Sequence, residues 1–169
     1  MPRPVSPASA RSRRPEPDPV GGWLTIDVDR EALAGNMAAF RDMVGDSRLL
    51  AVVKADAYGH GLLFAALAFL DGGADLLGVH SLAEARSLRL GGVEAPLLIL
   101  GPLTGAEAAE ASALDAEVTV SSVEAARAAA SAGVPLRIHL KVETGVNRQG
   151  IIEGELEPVL AELDAVPTC

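Results

Sequence analysis

The sequence predicts an α/β fold built on a parallel sheet, and three observations carry that prediction. Short apolar runs without alternation, such as Leu49-Leu50-Ala51-Val52-Val53, suit strands buried on both faces. Between such runs lie stretches that open on Ser or Thr with Glu three residues later and close on Gly, the start and stop marks of helices. The two kinds of segment alternate through short connections, which implies βαβ units. Right-handed crossovers in sequence order either curl into a barrel or lie flat as a doubly wound sheet. No Gly-x-Gly-x-x-Gly fingerprint follows the first strand, which lowers the dinucleotide-binding reading.

Residues 1–22 are rich in Pro, Arg, Ser and Gly and can do little to offset the entropy of ordering, so a disordered tail is expected. No apolar segment follows its arginines, which argues against a secretory or twin-arginine signal. Residues 23–28 (Trp-Leu-Thr-Ile-Asp-Val) alternate and read as a strand. Asp29 can cap a helix whose apolar face is Leu33, Met37, Phe40 and Val44, and Gly45 ends it. Strand 49–53 comes next, then a helical pattern over 62–70 closed by Asp71-Gly72-Gly73, and a strand at 76–79. Ser81 with Glu84, Thr104 with Glu107, and Ser121 with Glu124 each have capping-box form and open three further helices. Strands are expected at 97–100, 118–120 and 136–142, and a last helix at 158–163 with Pro158 in its first turn.

At 169 residues the chain can hold a domain with a real core, and 49% hydrophobic with 22% charged residues describes an ordinary globular protein. Aromatic residues are scarce, so the core must come from Leu, Val, Ile and Ala. The net charge of −9 is uneven: four arginines against Glu16 and Asp18 leave residues 1–22 basic and the body acidic. An acidic body argues against nucleic acid and anionic membrane surfaces as partners. No apolar run approaches the roughly 18 residues that span a bilayer. The single cysteine, Cys169, cannot form an internal disulfide.

Lysine usage singles out the chemistry. The chain has twelve arginines and only two lysines, Lys54 and Lys141. Lys54 directly follows an apolar strand, at the carboxyl end where α/β folds place their chemistry. A lysine there either snorkels to the wet end of the strand or does what Arg cannot, such as Schiff-base formation by a deprotonated amine. The pattern over 136–142 sets Arg137, His139 and Lys141 on one strand face, with Arg148 close behind. A mid-series strand has both faces covered, so that polar face points into a ligand-bearing interior or onto a wet surface. His60 and His139 read as structural, since neither has Cys or carboxylates at metal-ligand spacing, and no metal site is expected.

Residues 53–61, Val-Lys-Ala-Asp-Ala-Tyr-Gly-His-Gly, resemble the pyridoxal-phosphate attachment motif of bacterial alanine racemases. Residues 139–150, His-Leu-Lys-Val-Glu-Thr-Gly-Val-Asn-Arg-Gln-Gly, resemble the same family's motif further along the barrel. The resemblance covers 23–169 and implies a TIM-type (β/α)8 barrel truncated to about its first five or six β/α units, without the later strands and C-terminal β-domain. It implies that Lys54 holds pyridoxal 5'-phosphate and serves as one of two catalytic bases, and that Tyr58 contacts the cofactor phosphate. Arg148 is implied to approach the cofactor's phenolic oxygen and the substrate carboxylate. Lys141 matches a lysine that many members carry N-carboxylated. Glu143 and Val146 stand where the family usually has Asp and Met.

The resemblance further implies interconversion of L- and D-alanine for peptidoglycan, in a cytoplasmic homodimer. The family's opposite-face base is a tyrosine from the partner's C-terminal domain, whereas Tyr58 is the only tyrosine here. Weak or absent activity of these residues alone is therefore expected. Racemases of the same family acting on serine, lysine or ornithine, and a non-catalytic pyridoxal-phosphate barrel, are the rival readings.

Overall fold

Five parallel strands pair in sequence order: β1 (Leu50–Val52), β2 (Leu76–Val79), β3 (Leu97–Ile99), β4 (Ala116–Val120) and β5 (Ile138–Leu140). They are seen in a computed structural model that describes residues 26–167. A doubly wound sheet needs a point where strand order reverses. The order β1-β2-β3-β4-β5 has none, so the sheet is an arc of a (β/α)8 barrel.

The helices are α1 (Arg30–Val44), α3 (Leu62–Asp71), α4 (Leu82–Leu90), α5 (Gly105–Ala113), α6 (Val123–Ser131) and α7 (Leu156–Leu163), with α2 (Lys54–Gly59) a single turn. They pack on the face that carries Ala51, Val53, Leu77, Val79, Leu97, Ile99, Ala116 and Val118. Small residues let helix and sheet approach closely: Ala65, Ala66, Ala85 and Ala111 are fully buried there, around Leu88. A second cluster of Val120, Ala126, Ala129, Ile151 and Val159 continues the core under α6 and α7. At Gly72 a Cβ would meet the Ala34 carbonyl oxygen at 2.4 Å and Met37 Cβ at 2.7 Å, so this glycine is what lets α1 close on α3.

Local signals set the helix starts. Asp29 accepts from the Ala32 N–H, and the boxes Ser81/Glu84 and Thr104/Glu107 both form. The third box does not. The cap of α6 is Ser122, which accepts from Ala125 N–H, while Ser121 is buried at the end of β4 and bonded elsewhere. β4 ends at Val120, as expected, and starts two residues earlier, at Ala116, so Ser121 directly follows the strand and Ser122 is left to cap the helix. Phe40, expected on the buried face of α1, is 55% exposed, because among the described residues α1 packs chiefly on α3 alone.

The expected strand at 23–28 is not found in its described part. Residues 26–28 are unpaired, and residues 23–25, like the tail 1–22 and Cys169, lie outside the described residues. Alternation makes a strand only where a ladder partner can take up its N–H and C=O groups. The strand expected over 136–142 is shorter as a ladder, with Val142 joined separately by a parallel bridge to Ile151.

Two arginines knit the amino-terminal ends of the strands. Arg41 donates to the carbonyls of Gly73, Gly45 and Ser47 and pairs with Asp75, whose carboxylate also accepts from Leu49 N–H at 2.6 Å. Those bonds hold the Asp75 carboxyl below its ordinary value, the Leu49 amide first and Arg41 second. Arg89 donates to the carbonyls of Leu114, Val93, Ala95 and Asp115. In barrels that end of the sheet serves stability, and chemistry sits at the other.

Candidate active site

The inner face of the sheet changes character across the arc. Gly78 sits among Leu50, Val52 and Leu100, which makes the β1–β3 side apolar. On β4 and β5 the same face turns polar. Glu117, Thr119 and Ser121 are each buried, and Thr119 stands in register with His139. His139 Nε2 lies 2.5 Å from Glu117 Oε2, and Arg137 Nε lies 3.6 Å from Glu117 Oε1. The polar residues of β5 thus share the sheet face of Glu117 and Thr119, with the Arg137 and His139 side chains about half exposed there. Thr119 Oγ1 is buried without a partner among the described residues.

At the carboxyl end of β1, Val53 is fully buried and Lys54 opens α2. This turn is left-handed. Ala55, Asp56, Ala57 and Tyr58 have φ of 53°, 54°, 51° and 56°. Non-glycine residues pay about 1–2 kcal/mol each for that conformation, and it persists only where the surroundings over-determine it. Here Ala57 N–H donates to the Val53 carbonyl (2.8 Å) and Gly61 N–H to the Asp56 carbonyl (3.0 Å). Asp56 Oδ1 accepts from Leu62 N–H (2.6 Å), and Glu84 Oε1 accepts from Ala55 N–H (2.7 Å). The turn leaves Lys54 half-buried and Tyr58 63% exposed. Among the described residues neither side chain has a hydrogen bond or ion pair.

Lys141 follows β5 at the opposite edge of the arc, also at a carboxyl end. Its Nζ donates to Gln149 Oε1 at 3.5 Å, and Gln149 Nε2 donates to Ser121 Oγ at 3.0 Å. Beyond it the chain makes a closed loop, because Glu143 N–H donates to the Ile151 carbonyl and Ile151 N–H to that of Lys141. A Cβ on Gly150 would lie 2.6 Å from the Glu143 nitrogen, so only glycine closes this loop. The Glu143 carboxylate sits in its mouth and accepts from Gly145 N–H at 2.6 Å. Backbone amides, Asn147 foremost and then Gly145, with Val146 and Arg148 adding to them, hold its carboxyl below the ordinary range. The Arg148 side chain stands exposed on the same loop, without a hydrogen bond or ion pair among the described residues.

The expected site residues therefore stand in two groups, Lys54 with Tyr58 after β1 and Lys141 with Arg148 after β5. No hydrogen bond or ion pair joins the groups, or joins Lys141 to Arg148, among the described residues. Three contributors were not legible in the sequence. Glu84 was visible as a helix cap but not as a partner of Ala55. Ser121 was taken for a cap, and Gln149 lay in the second motif stretch without a role of its own.

The profile of the family described as "Alanine racemase, N-terminal domain" matches residues 28–169. An alanine racemase of Beutenbergia cavernae is 45% identical over 132 residues, covering 76% of this chain and 35% of that protein. Alanine racemase 1 of Bacillus subtilis is 42% identical over 149 residues, covering 86% of this chain and 38% of its own length. The solved structure of the Bacillus anthracis alanine racemase with bound L-Ala-P is 33% identical, with a TM-score of 0.77, covering 83% of this chain and 38% of that one. The chain thus spans little more than a third of the length of these relatives. By sequence and by fold, it belongs to the alanine racemase family, whose N-terminal domain it carries.

Proposed function

We propose that this chain supplies the cofactor lysine and one proton-transferring base of a pyridoxal-phosphate-dependent racemase that interconverts L- and D-alanine. The observation that carries the reading is the Lys54 amine, half-buried and without a hydrogen bond or ion pair among the described residues, at the carboxyl end of β1 on a strained turn. The donor set suits pyridoxal phosphate: an amine for covalent attachment, the Tyr58 hydroxyl four residues on for the phosphate, and the Arg148 guanidinium for phenolic oxygen and carboxylate. When bound, that group takes up the electron pair left by removal of a substrate α-proton. Lys54 Nζ removes or returns that proton on one face. Arg148 binds and orients the substrate carboxylate. The inner face beside β1 is apolar, with Leu50, Val52 and Leu100 around Gly78, which suits the flat face of such a group.

Inversion needs a base on the opposite face as well, since a single base returns the proton to the side it left. The single tyrosine of these 169 residues, Tyr58, stands on the Lys54 turn. The family resemblance implies a tyrosine as the second base, which would then come from outside these residues, in keeping with a homodimer whose partner completes the site. Lys141 is the position for N-carboxylation, which would exchange a cation for an anion beside the Arg148 loop. A cytoplasmic place in D-alanine supply for peptidoglycan belongs to the same reading.

The test is borohydride reduction of the chain incubated with pyridoxal phosphate, followed by peptide mass spectrometry. A cofactor-sized mass on Lys54, absent from Lys54→Ala, is expected. An equal adduct in Lys54→Ala refutes the assignment. A substrate panel on the assembled enzyme, in which alanine is expected to outpace serine, lysine and ornithine, tests the specificity.

A further inference from the structure

The left-handed turn after β1 is improbable for four successive non-glycine residues, so something outside it must hold it. Within the turn, its backbone bonds and the Asp56 carboxylate close it on itself. From outside comes the Glu84 carboxylate, 29 residues away, whose Oε1 accepts from the N–H of Ala55, the residue next to Lys54. The other oxygen, Oε2, accepts from His80 N–H at 2.7 Å and Ser81 N–H at 3.3 Å. One carboxylate thus completes the cap of α4 and ties the carboxyl end of β2 to the turn after the neighbouring β1. A helix cap does not require the third bond. Glu107 forms the same capping box on α5 with Thr104 alone, both bonds from its carboxylate staying within that cap.

We infer that Glu84 is a positioning residue for Lys54, holding the left-handed turn so that the lysine leaves β1 in one fixed direction. This rests on the reading of Lys54 as the cofactor lysine for its consequence, though not for its geometry. Three N–H donors converge on Glu84, and neither of the two near-isosteres reproduces that. Gln presents an amide nitrogen to at least one of them. Asp keeps the charge beside the amino end of α4 but is a methylene too short to span from His80 to Ala55.

The test compares Glu84→Asp, Glu84→Gln and Glu84→Ala with Glu107→Ala, which removes a cap remote from the site. Amide hydrogen exchange over residues 54–61 is measured first, on the full chain without cofactor. The Glu84 variants are expected to exchange there at least fivefold faster than Glu107→Ala, and Glu84→Asp to do so while melting close to the native temperature. Uptake of pyridoxal phosphate, followed by its visible band, should weaken at least fivefold in Glu84→Asp and less than twofold in Glu107→Ala. Exchange over 54–61 less than fivefold above Glu107→Ala in every Glu84 variant overturns the inference. A native chain that takes up no cofactor at Lys54 leaves the exchange comparison intact and counts against the proposed function instead.

Discussion

Glu143 shows how one carboxylate shapes the Arg148 loop. Because the amides of Asn147 and Gly145 depress its pKa, its contribution is complete above the ordinary glutamate value of 4.5 and is lost as pH falls through the lower folded value. The Gly145 and Asn147 amide proton shifts should therefore titrate together with a midpoint below 4.5. A midpoint at or above it would show that the carboxylate does not gather those amides. Lys141 and Arg148 make a second case at this scale. They flank the same closed loop, so in a double-mutant cycle on pyridoxal-phosphate affinity Lys141→Ala and Arg148→Ala should couple by about 0.5–3 kcal/mol. Strict additivity would separate them into independent contributors, with Lys141 serving only the Gln149–Ser121 chain.

Among the elements, the α1–α3 contact offers the clearest lever. Gly72 has a φ of −78°, which any residue adopts, so its need for glycine is steric. Gly72→Ala drives a methyl into the Ala34 carbonyl and the Met37 side chain, and should cost about 1–3 kcal/mol in chemical denaturation. Unchanged stability would mean that α1 has room to move away from α3. Leu88, fully buried on α4, is the opposite case: Leu88→Ala opens a cavity and should cost about 2–5 kcal/mol. The exposed ion pairs Arg86–Glu110 and Arg127–Glu162 join neighbouring helices at little net gain.

At the scale of the molecule, the two ends of the sheet divide stability from chemistry. Arg89 serves four carbonyls at the amino-terminal end, and burial lowers its pKa. Arg89→Ala leaves those acceptors short of donors and should lower stability by about 1–3 kcal/mol. Cofactor uptake at Lys54, at the carboxyl-terminal end, should stay within twofold of native. A large loss of uptake in a still-folded variant would argue against that division. At its other edge the arc leaves Leu140 and Val142 exposed. If Lys54 is the one base these residues supply, as proposed, residues 1–169 loaded with pyridoxal phosphate should exchange the alanine α-deuterium without producing D-alanine. Inversion with turnover above about 1 per second would mean that another residue here serves as the opposite base.

Periodicity and caps sufficed for much of this fold. Apolar runs and, for β5, alternation located the five strands among the described residues, and Ser81/Glu84, Thr104/Glu107, Asp29 and Gly45 marked helix ends, because such signals act within a few residues. Lysine scarcity and the two motif stretches picked out Lys54 and Lys141 without any geometry. Contacts between residues far apart in the chain decided the rest. Residues 26–28 end an alternating stretch but have no ladder partner among the described residues, and Ser121 sits in a capping pattern yet is claimed by Gln149, 28 residues on. Arg41 and Arg89 look like any other arginine until the fold brings carbonyls around them. The left-handed turn at Lys54 is the sharpest instance. Its residues have no local preference for that conformation, and its bond to Glu84 exists only because β1 and β2 lie side by side.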